Sequence, residues 1–228
     1  MSFFVKVPFR ALCLLCLLAF AVTGCVDSRS LTQSGRYRRD AGTYSPSPQT
    51  VQRPMRTQFP SGLPSNFQAY KQRYQSVATS PEGAVRMYFD ALYSYIAPKG
   101  RSEGVKMLRY SLHERQGWER SPAYSTFVSR LNNASWHYVF RSFASGTSPE
   151  NNYSMSPNNY RLMFASTRQE TDYVLVMIHS SGADSPRPLQ VKQFDDGLWY
   201  VVANHGTYSD VRKPAGRTRA GSHDASLD

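Results

Sequence analysis

The chain has 228 residues, 19% of them charged, and a formal net charge of +11. Its length is sufficient for one domain with flanking segments. The basic excess would suit a nucleic-acid-binding protein, but residues 81–209 hold 13 basic and 11 acidic residues and are nearly neutral. The excess therefore belongs mainly to the N-terminal part of the chain, and the pattern argues against a nucleic-acid-binding domain.

The first residues have the features of an export signal. Lys6 and Arg10, with no acidic residue near them, precede an apolar stretch from Ala11 to Val22. A membrane-spanning helix needs about 20 apolar residues, so this stretch is too short to be one. Its length and flanking charges instead match the hydrophobic region of a secretory signal.

The motif Val22-Thr23-Gly24-Cys25 follows directly and resembles the lipobox of bacterial lipoproteins. The resemblance implies that residues 1–24 are a cleaved signal peptide and that Cys25 carries the lipid, including palmitate. Two or three acyl chains hold a protein stably at a membrane. Val26 stands where a retention signal would be aspartate, so we expect a place in the cell envelope, on the periplasmic side of the outer membrane if the source has two membranes.

Residues 25–64 are predicted to be the lipid anchor and a disordered tether, because they are rich in Ser, Thr, Gln, Arg and Pro and have no periodicity. Arg36, Arg38 and Arg39 form a basic cluster there. They either contact anionic lipid or lipopolysaccharide, or only keep a linker solvated. Residues 211–228 are predicted to be a second disordered segment. Nucleic acid is not an expected partner of an exported protein.

The region between these segments begins with helical patterns. Amphipathic spacing predicts a helix over residues 66–79. Ser80 and Pro81 then supply a cap and a first helical residue for a helix that runs to about Ile96. Further helices are predicted over residues 103–113 and from Ser121 to the asparagine pair at 132–133.

After Asn133 the spacing of apolar residues changes to two, which predicts strands over residues 136–140, 160–164 and 173–178. A hairpin with Gly197 in its turn is predicted to join residues 189–194 to residues 199–204. Helices followed by strands indicate an α+β domain over residues 65–210, with the N-terminal helices on one face of a curved antiparallel sheet.

Two segments carry a family resemblance. Ser80-Pro81-Glu82-Gly83-Ala84-Val85 and Asp196-Gly197-Leu198-Trp199-Tyr200-Val201 resemble the ends of lipoprotein domains of the nuclear-transport-factor-2-like (NTF2-like, or cystatin-like) superfamily. This implies a cone in which a curved sheet wraps a long helix. Residues 107–150 also resemble a bacterial domain family of unknown function. The cone usually has a strand among its early helices, and none is evident between Gln116 and Ser121.

The sequence offers little catalytic chemistry. Cys13 and Cys16 leave with the signal peptide and Cys25 is lipidated, so the mature domain has neither a disulfide nor a reactive thiol. Motifs for nucleotide binding, a nucleophile elbow or a zinc-protease helix are missing. We therefore assign no catalytic residue, no metal ligand and no cofactor.

Four residues are candidates for a pocket or a contact surface. Trp118 lies in a polar loop and is the aromatic residue that a periodic core explains least. His179, Trp199 and His205 lie on or beside predicted strands, where the cone-fold resemblance places cavity residues. A strand histidine is more often structural than functional, and none of these matches a catalytic position of that superfamily.

Two functions fit this sequence. The favoured one is an envelope lipoprotein whose domain, without catalysis, binds or scaffolds an unknown envelope protein, a glycan or a small ligand. The alternative is a cone-fold enzyme of isomerase or dehydratase type, and whether the chain is an enzyme stays uncertain on the sequence. A deep cavity with a histidine near a second polar group favours the enzyme, whereas a filled interior with an aromatic surface patch favours binding.

The anchor is tested by replacing its cysteine. We expect Cys25→Ala to abolish labelling with radioactive palmitate and to move the protein out of the membrane fraction, because the acyl chains have no other attachment site. Cys16→Ala, within the predicted signal peptide, is the matched control and should keep the label. Palmitate labelling that persists in Cys25→Ala would exclude the lipoprotein assignment.

Overall fold

A computed structural model describes residues 58–217, and these form five α-helices and one four-stranded sheet. The helices are α1 (Phe67–Val77), α2 (Pro81–Ile96), α3 (Arg101–Ser111), α4 (Ser125–Asn132) and α5 (His137–Arg141). The strands are β1 (Phe164–Gln169), β2 (Val174–Ile178), β3 (Arg187–Gln193) and β4 (Trp199–Ala203). The predicted α+β class is confirmed.

Side-chain caps set the start of the first two helices, and the cap at Ser80 agrees with the prediction. The Asn66 side chain accepts a hydrogen bond from the Ala69 amide at 2.9 Å, and the Ser80 hydroxyl accepts one from the Gly83 amide at 3.1 Å. Pro81 is the first residue of α2, where its missing N–H costs nothing. Helix α2 is the centre of the domain: every residue from Glu82 to Tyr95 is buried, against α1, α3 and three strands.

The sheet is antiparallel in the order β1-β2-β3-β4 and is open. In β2, Val174, Val176 and Ile178 are buried in the core with α2, while the residues between them are half-exposed. The predicted β3–β4 hairpin is confirmed. Gly197 adopts φ 78°, a left-handed conformation that favours glycine, and the Phe194 amide donates to the Leu198 carbonyl at 3.0 Å.

The strand predicted over residues 136–140 is wrong, because this segment is helical. Asn133 begins a 3₁₀ turn by accepting a hydrogen bond from the Ser135 amide at 3.0 Å, and α5 follows. Tyr138, Val139 and Phe140 are all buried, since α5 is covered by α2 on one side and by the turn at residues 205–208 on another. Three consecutive buried residues leave no diagnostic period, so the apolar run imitates a strand.

The strand predicted over residues 160–164 is displaced along the chain. Leu162 forms only an isolated bridge with Ala144, and the regular strand begins at Phe164 and continues to Gln169. The sequence Phe164-Ala-Ser-Thr-Arg-Gln169 has one large apolar residue. It is an edge strand whose residues are half-buried or exposed, so hydrophobic alternation does not reveal it.

The folded region begins earlier than predicted. Residues 59–64, which we call the strap, lie on the domain rather than in the tether. Arg86 Nη2 donates to the Pro60 carbonyl at 3.0 Å, and Arg73 Nη1 donates to the Gly62 carbonyl at 2.6 Å. Since these bonds use the backbone of the strap, its side-chain composition gave no sign of them.

The folded region also ends later than predicted. The Arg212 amide donates to the Gly182 carbonyl and the Ala215 amide to the Pro149 carbonyl, each at 2.9 Å. Val211 is buried. Residues 211–215 are therefore held to the domain by backbone bonds, although the sequence suggested a disordered tail.

Tyrosine hydroxyl groups connect the elements of the core. Burial raises the pKa of Tyr70, Tyr74 and Tyr93 well above the ordinary value, so these side chains remain protonated donors. Their partners are backbone carbonyls on other elements: Tyr70 donates to Met87 at 3.0 Å, Tyr74 to Trp199 at 2.7 Å and Tyr93 to Phe140 at 3.1 Å.

One buried ion pair and a tyrosine hydroxyl form what we call the polar network: Arg86, Asp90 and Tyr160. Asp90 is 1% exposed. Its Oδ1 accepts from Arg86 Nε at 3.1 Å and from Tyr160 Oη at 2.5 Å. The Arg86 guanidinium also lies 4.0 Å from the centroid of the Tyr160 ring. Burial raises the pKa of Asp90, while Arg86, Tyr160 and Arg73 oppose the rise. Each buried charged or polar side chain of the network therefore has a partner within the network.

Removing one member of this network should destabilise the fold. We expect Arg86→Met to lower the free energy of unfolding by about 3–5 kcal/mol, because it leaves the Asp90 carboxylate without its closest cation and frees the Pro60 carbonyl. The double variant Arg86→Met/Asp90→Leu should recover most of the loss, since no buried charge is left unpaired. Urea unfolding of the full chain measures both.

An exposed ion pair supplies the control. Lys106 Nζ lies 2.6 Å from Glu103 Oε1 on α3, with half of the lysine side chain accessible to solvent. Such pairs contribute about 0–1 kcal/mol, so Lys106→Met should change stability little. Equal losses for Arg86→Met and Lys106→Met would show that the network does not stabilise the domain.

Candidate functional site

The structure places Trp118, our first candidate, in the core. It is 3% exposed, and its ring packs edge-on to Tyr124 at 5.2 Å and against Phe127 at 6.1 Å between centroids. The indole Nε1 is buried and lacks a hydrogen-bond partner among the described residues. The polar neighbours of Trp118 in the sequence concealed a core position.

The other three candidates lie at separate points on the sheet. His179 is exposed just after β2, and His205 is exposed in the 3₁₀ turn after β4, with its ring 5.7 Å from that of Tyr208. Trp199 is half-buried at the start of β4. Within residues 58–217, neither a hydrogen bond nor a ring contact joins any two of the four candidates, so they do not form one site.

The polar network has the chemistry of a possible acid–base pair, but it is closed. The strap lies over Arg86 and binds it through the Pro60 carbonyl. Surface depressions of about 300 and 650 Å³ are both lined by other residues. A substrate would have to displace the strap to reach Asp90 or Tyr160, so we assign the network a structural role.

A group of aromatic rings reaches the surface between α1, α3 and the β3–β4 hairpin. We call it the aromatic platform: Phe67, Tyr110, His113, Phe194 and Tyr200. The ring centroids form a continuous series, with separations of 5.9 Å for Phe67–Tyr110, 6.0 Å for Tyr110–Tyr200, 4.7 Å for Tyr200–His113 and 4.0 Å for His113–Phe194. Tyr200 is buried beneath the group, His113 is exposed, and the other three are half-buried.

His113 lies where a helix end favours glycine. It has φ 53° and follows the last residues of α3. Its amide donates to the Tyr110 carbonyl at 3.1 Å, and the Glu114 amide donates to the Arg109 carbonyl at 2.9 Å. This pair of bonds is a Schellman motif, whose left-handed residue is usually glycine. The backbone conformation therefore does not explain why a histidine occupies this position. The stacking of its ring on Phe194 does.

A carboxylate lies at the edge of the platform. Asp196 Oδ2 accepts from Tyr200 Oη at 2.6 Å, and Oδ1 accepts from the Leu198 amide at 3.0 Å. Some desolvation of the exposed carboxylate acts against these bonds, but the two bonds together lower the pKa of Asp196 below its ordinary value. Burial and the bond to Asp196 raise the pKa of Tyr200. The platform thus offers ring faces beside a fixed negative charge.

This combination can hold a ligand with an apolar face or a cationic group. Aromatic faces carry negative quadrupole charge and attract C–H groups and cations. The pattern of the sequence did not predict the site, because its residues come from three separated elements. His113 could not have indicated it either, because the helix predicted over residues 103–113 includes this residue; the left-handed conformation at the end of α3 is visible only in the structure.

Groups of three or more His, Cys, Asp or Glu side chains that could hold a metal ion are not found within residues 58–217. None of the helices in that range is long and apolar enough to cross a membrane.

Comparison with known proteins gives one relationship. No curated protein and no solved structure matches the chain. A family model described as Domain of unknown function (DUF6935) matches residues 62–215, a range that includes α1–α5, β1–β4 and every residue of the aromatic platform. This agrees with the resemblance to a domain family of unknown function. Since the match covers more than half of the 228 residues, the chain belongs to the family Domain of unknown function (DUF6935).

Proposed function

We propose that this protein is a membrane-anchored envelope lipoprotein whose domain is a non-catalytic binding or scaffolding module, and that the aromatic platform is its contact surface. The anchor on Cys25 and the tether after it rest on the sequence and lie outside the described residues. The platform supplies what such a module needs, a rigid and partly exposed aromatic surface.

The observation that carries the proposal is the conformation of His113. A left-handed conformation at a non-glycine residue costs on the order of 1 kcal/mol. Strain of this kind is enriched at functional sites, although Asn152 and the buried Tyr153 also have it here. Here it holds an exposed imidazole flat on Phe194, at 4.0 Å between centroids. The side chain therefore completes an accessible surface rather than filling the core.

The enzyme alternative, an isomerase or dehydratase of the cone type, has less support. Such chemistry needs a histidine or acid that faces a cavity beside a second polar group. His137 Nε2 pairs with the Leu131 carbonyl at 2.8 Å, and burial lowers its pKa. His113 stacks on Phe194, while His179 and His205 are exposed. Asp90 and Tyr160 lie beneath the strap.

We also infer that the domain is a divergent relative of the NTF2-like cone. A long buried helix, α2, packs against three strands of an antiparallel sheet, as that resemblance implies. The region from Gln116 to Ser121 contains a 3₁₀ turn at Trp118–Arg120 instead of the strand usual in the cone. The sheet has four strands and is open.

The proposed location is the periplasmic face of the outer membrane in a source with two membranes, on the basis of Val26 after the lipidated cysteine. Arg36, Arg38 and Arg39 would lie near the headgroups of that membrane, where each cation contributes about 1 kcal/mol to binding anionic lipid. These residues precede the described range, so this part of the proposal rests on the sequence.

Site-specific photo-crosslinking tests the platform. A benzophenone amino acid at position 71, whose Lys71 Nζ lies 5.9 Å from the centroid of Phe67, should give discrete adducts in intact cells of the source. We expect His113→Gly to lower their yield by about fivefold or more, as for loss of a central contact residue. Stability should change by less than about 1 kcal/mol, because relief of the left-handed strain offsets the lost stack.

The matched control is His179→Ala, which removes an exposed histidine outside the platform. It should leave the adducts unchanged. Urea unfolding of both variants separates loss of binding from loss of folding. Adducts that survive in His113→Gly, or that disappear equally in His179→Ala, would contradict the assignment of the contact surface.

A further inference from the structure

Two methionines of the described domain lie outside its core. Residues 58–217 contain five methionines, of which Met87, Met107 and Met155 belong to the core or pack against it. Met163 is 45% exposed and Met177 is half-exposed, and neither packs against a core cluster of the described residues. Exposed apolar side chains that are scattered singly need no explanation. These two, however, lie beside the same histidine.

The pairing of β1 with β2 places Met163 opposite His179. Met163 directly precedes β1, His179 directly follows β2, and the His179 amide donates to the Met163 carbonyl at 2.8 Å. The next pair along the strands is Phe164 with Ile178. Ile178 is fully buried, and Phe164 packs against the core. Successive strand residues face opposite sides of a sheet, so Met163 and His179 both face away from the core.

Met177 lies on the same outer face of the sheet. It stands in β2 between Val176 and Ile178, which are both buried, and it is two residues before His179. Side chains at positions i and i+2 share one face of a strand, and directly opposite residues have Cβ atoms about 5 Å apart. The pairing thus brings together what we call the thioether cluster: Met163, Met177 and His179.

The side chains of the thioether cluster are available as ligands. The imidazole of His179 is exposed, and no hydrogen bond, ion pair or ring contact within residues 58–217 uses it. Methionine has three rotatable bonds and a polarizable sulfur, so each thioether can turn toward an ion held near the imidazole. Two sulfur atoms and one ring nitrogen can therefore converge on one point above the sheet.

These donor atoms select a class of metal ion. Thioether sulfur is a soft ligand that favours Cu(I), and imidazole also suits copper. Cysteine is missing from residues 58–217, so thioethers are the softest donors in the described domain. Hard cations such as Ca²⁺ and Mg²⁺ instead prefer oxygen ligands. The cluster therefore matches a soft monovalent cation.

We propose that the thioether cluster binds one Cu(I) ion through its two sulfur atoms and its imidazole. The exposed position keeps the ion near water, so three neutral ligands need no buried counter-charge. Spacing along the chain did not reveal the cluster, since Met163 reaches His179 only through the pairing of β1 with β2. The site shares no residue with the aromatic platform and goes beyond the proposed contact function.

NMR on the full-length chain in detergent micelles, with isotope-labelled methionine methyl groups, tests the site. The probe is Ag(I), a redox-stable ion with the ligand preference of Cu(I). We expect one equivalent of Ag(I) to shift the methyl signals of Met163 and Met177, which Met163→Leu and Met177→Leu identify. The signal of Met155 should not move. One equivalent of Zn(II) should shift none of the three signals.

Competition for Cu(I) with the chelator bicinchoninate measures the affinity. Met163→Leu, Met177→Leu and His179→Ala should each weaken binding by roughly tenfold or more, because even outer-shell partners of a metal change its affinity by about 10–100-fold. All three side chains are exposed or half-exposed, so the variants should keep the fold. Met155→Leu makes the same volume-conserving exchange against the core and should bind Cu(I) as the wild type does.

Four results would overturn the proposal. Ag(I) could leave the methyl signals of Met163 and Met177 unchanged, or it could shift the signals of all described methionines alike. Zn(II) could shift the two cluster signals as strongly as Ag(I). The cluster variants could bind Cu(I) as tightly as Met155→Leu.

Discussion

The buried pair of Arg86 and Asp90 is the constraint around which the domain is arranged. Both residues lie in α2, a helix buried on all sides, where an unpaired charge would be prohibitively costly. Each must therefore find partners from other parts of the chain. Arg86 takes the Pro60 carbonyl of the strap, and Asp90 takes the hydroxyl of Tyr160 ahead of β1. The need to compensate two charges thus fixes where two distant segments lie.

Tyrosine hydroxyl groups hold the elements together in the rest of the core. The mature domain is predicted to contain no cysteine, so disulfides cannot link its elements. Buried tyrosines link them through single hydrogen bonds: Tyr74 ties α1 to β4, and Tyr93 ties α2 to α5. Each such bond contributes only about 1 kcal/mol, but the ring of the same side chain also buries apolar area. The high tyrosine content is thereby explained largely by packing.

The sequence predicted the elements whose ends have their own chemical signals. Ser80 and Pro81 mark the start of α2, and Gly197 marks the hairpin turn, because a cap and a left-handed turn depend on local residues. The helical segment around Tyr138 and the strap were missed for the opposite reason. Three consecutive buried residues left α5 without a helical period, and the strap is held by arginines that follow it in the chain.

The candidate site shows the same difference between local sequence signals and contacts that only the fold creates. Trp118 stood out in the sequence because its neighbours are polar, yet Tyr124 and Phe127 enclose it. His113 looked unremarkable, since it was the last residue of the helix predicted over residues 103–113; only the Schellman geometry shows that its backbone would suit glycine better. The importance of a surface side chain here follows from the conformation that holds it and from the ring beneath it. Both are tertiary properties, because Phe194 reaches His113 from a hairpin about 80 residues further along the chain.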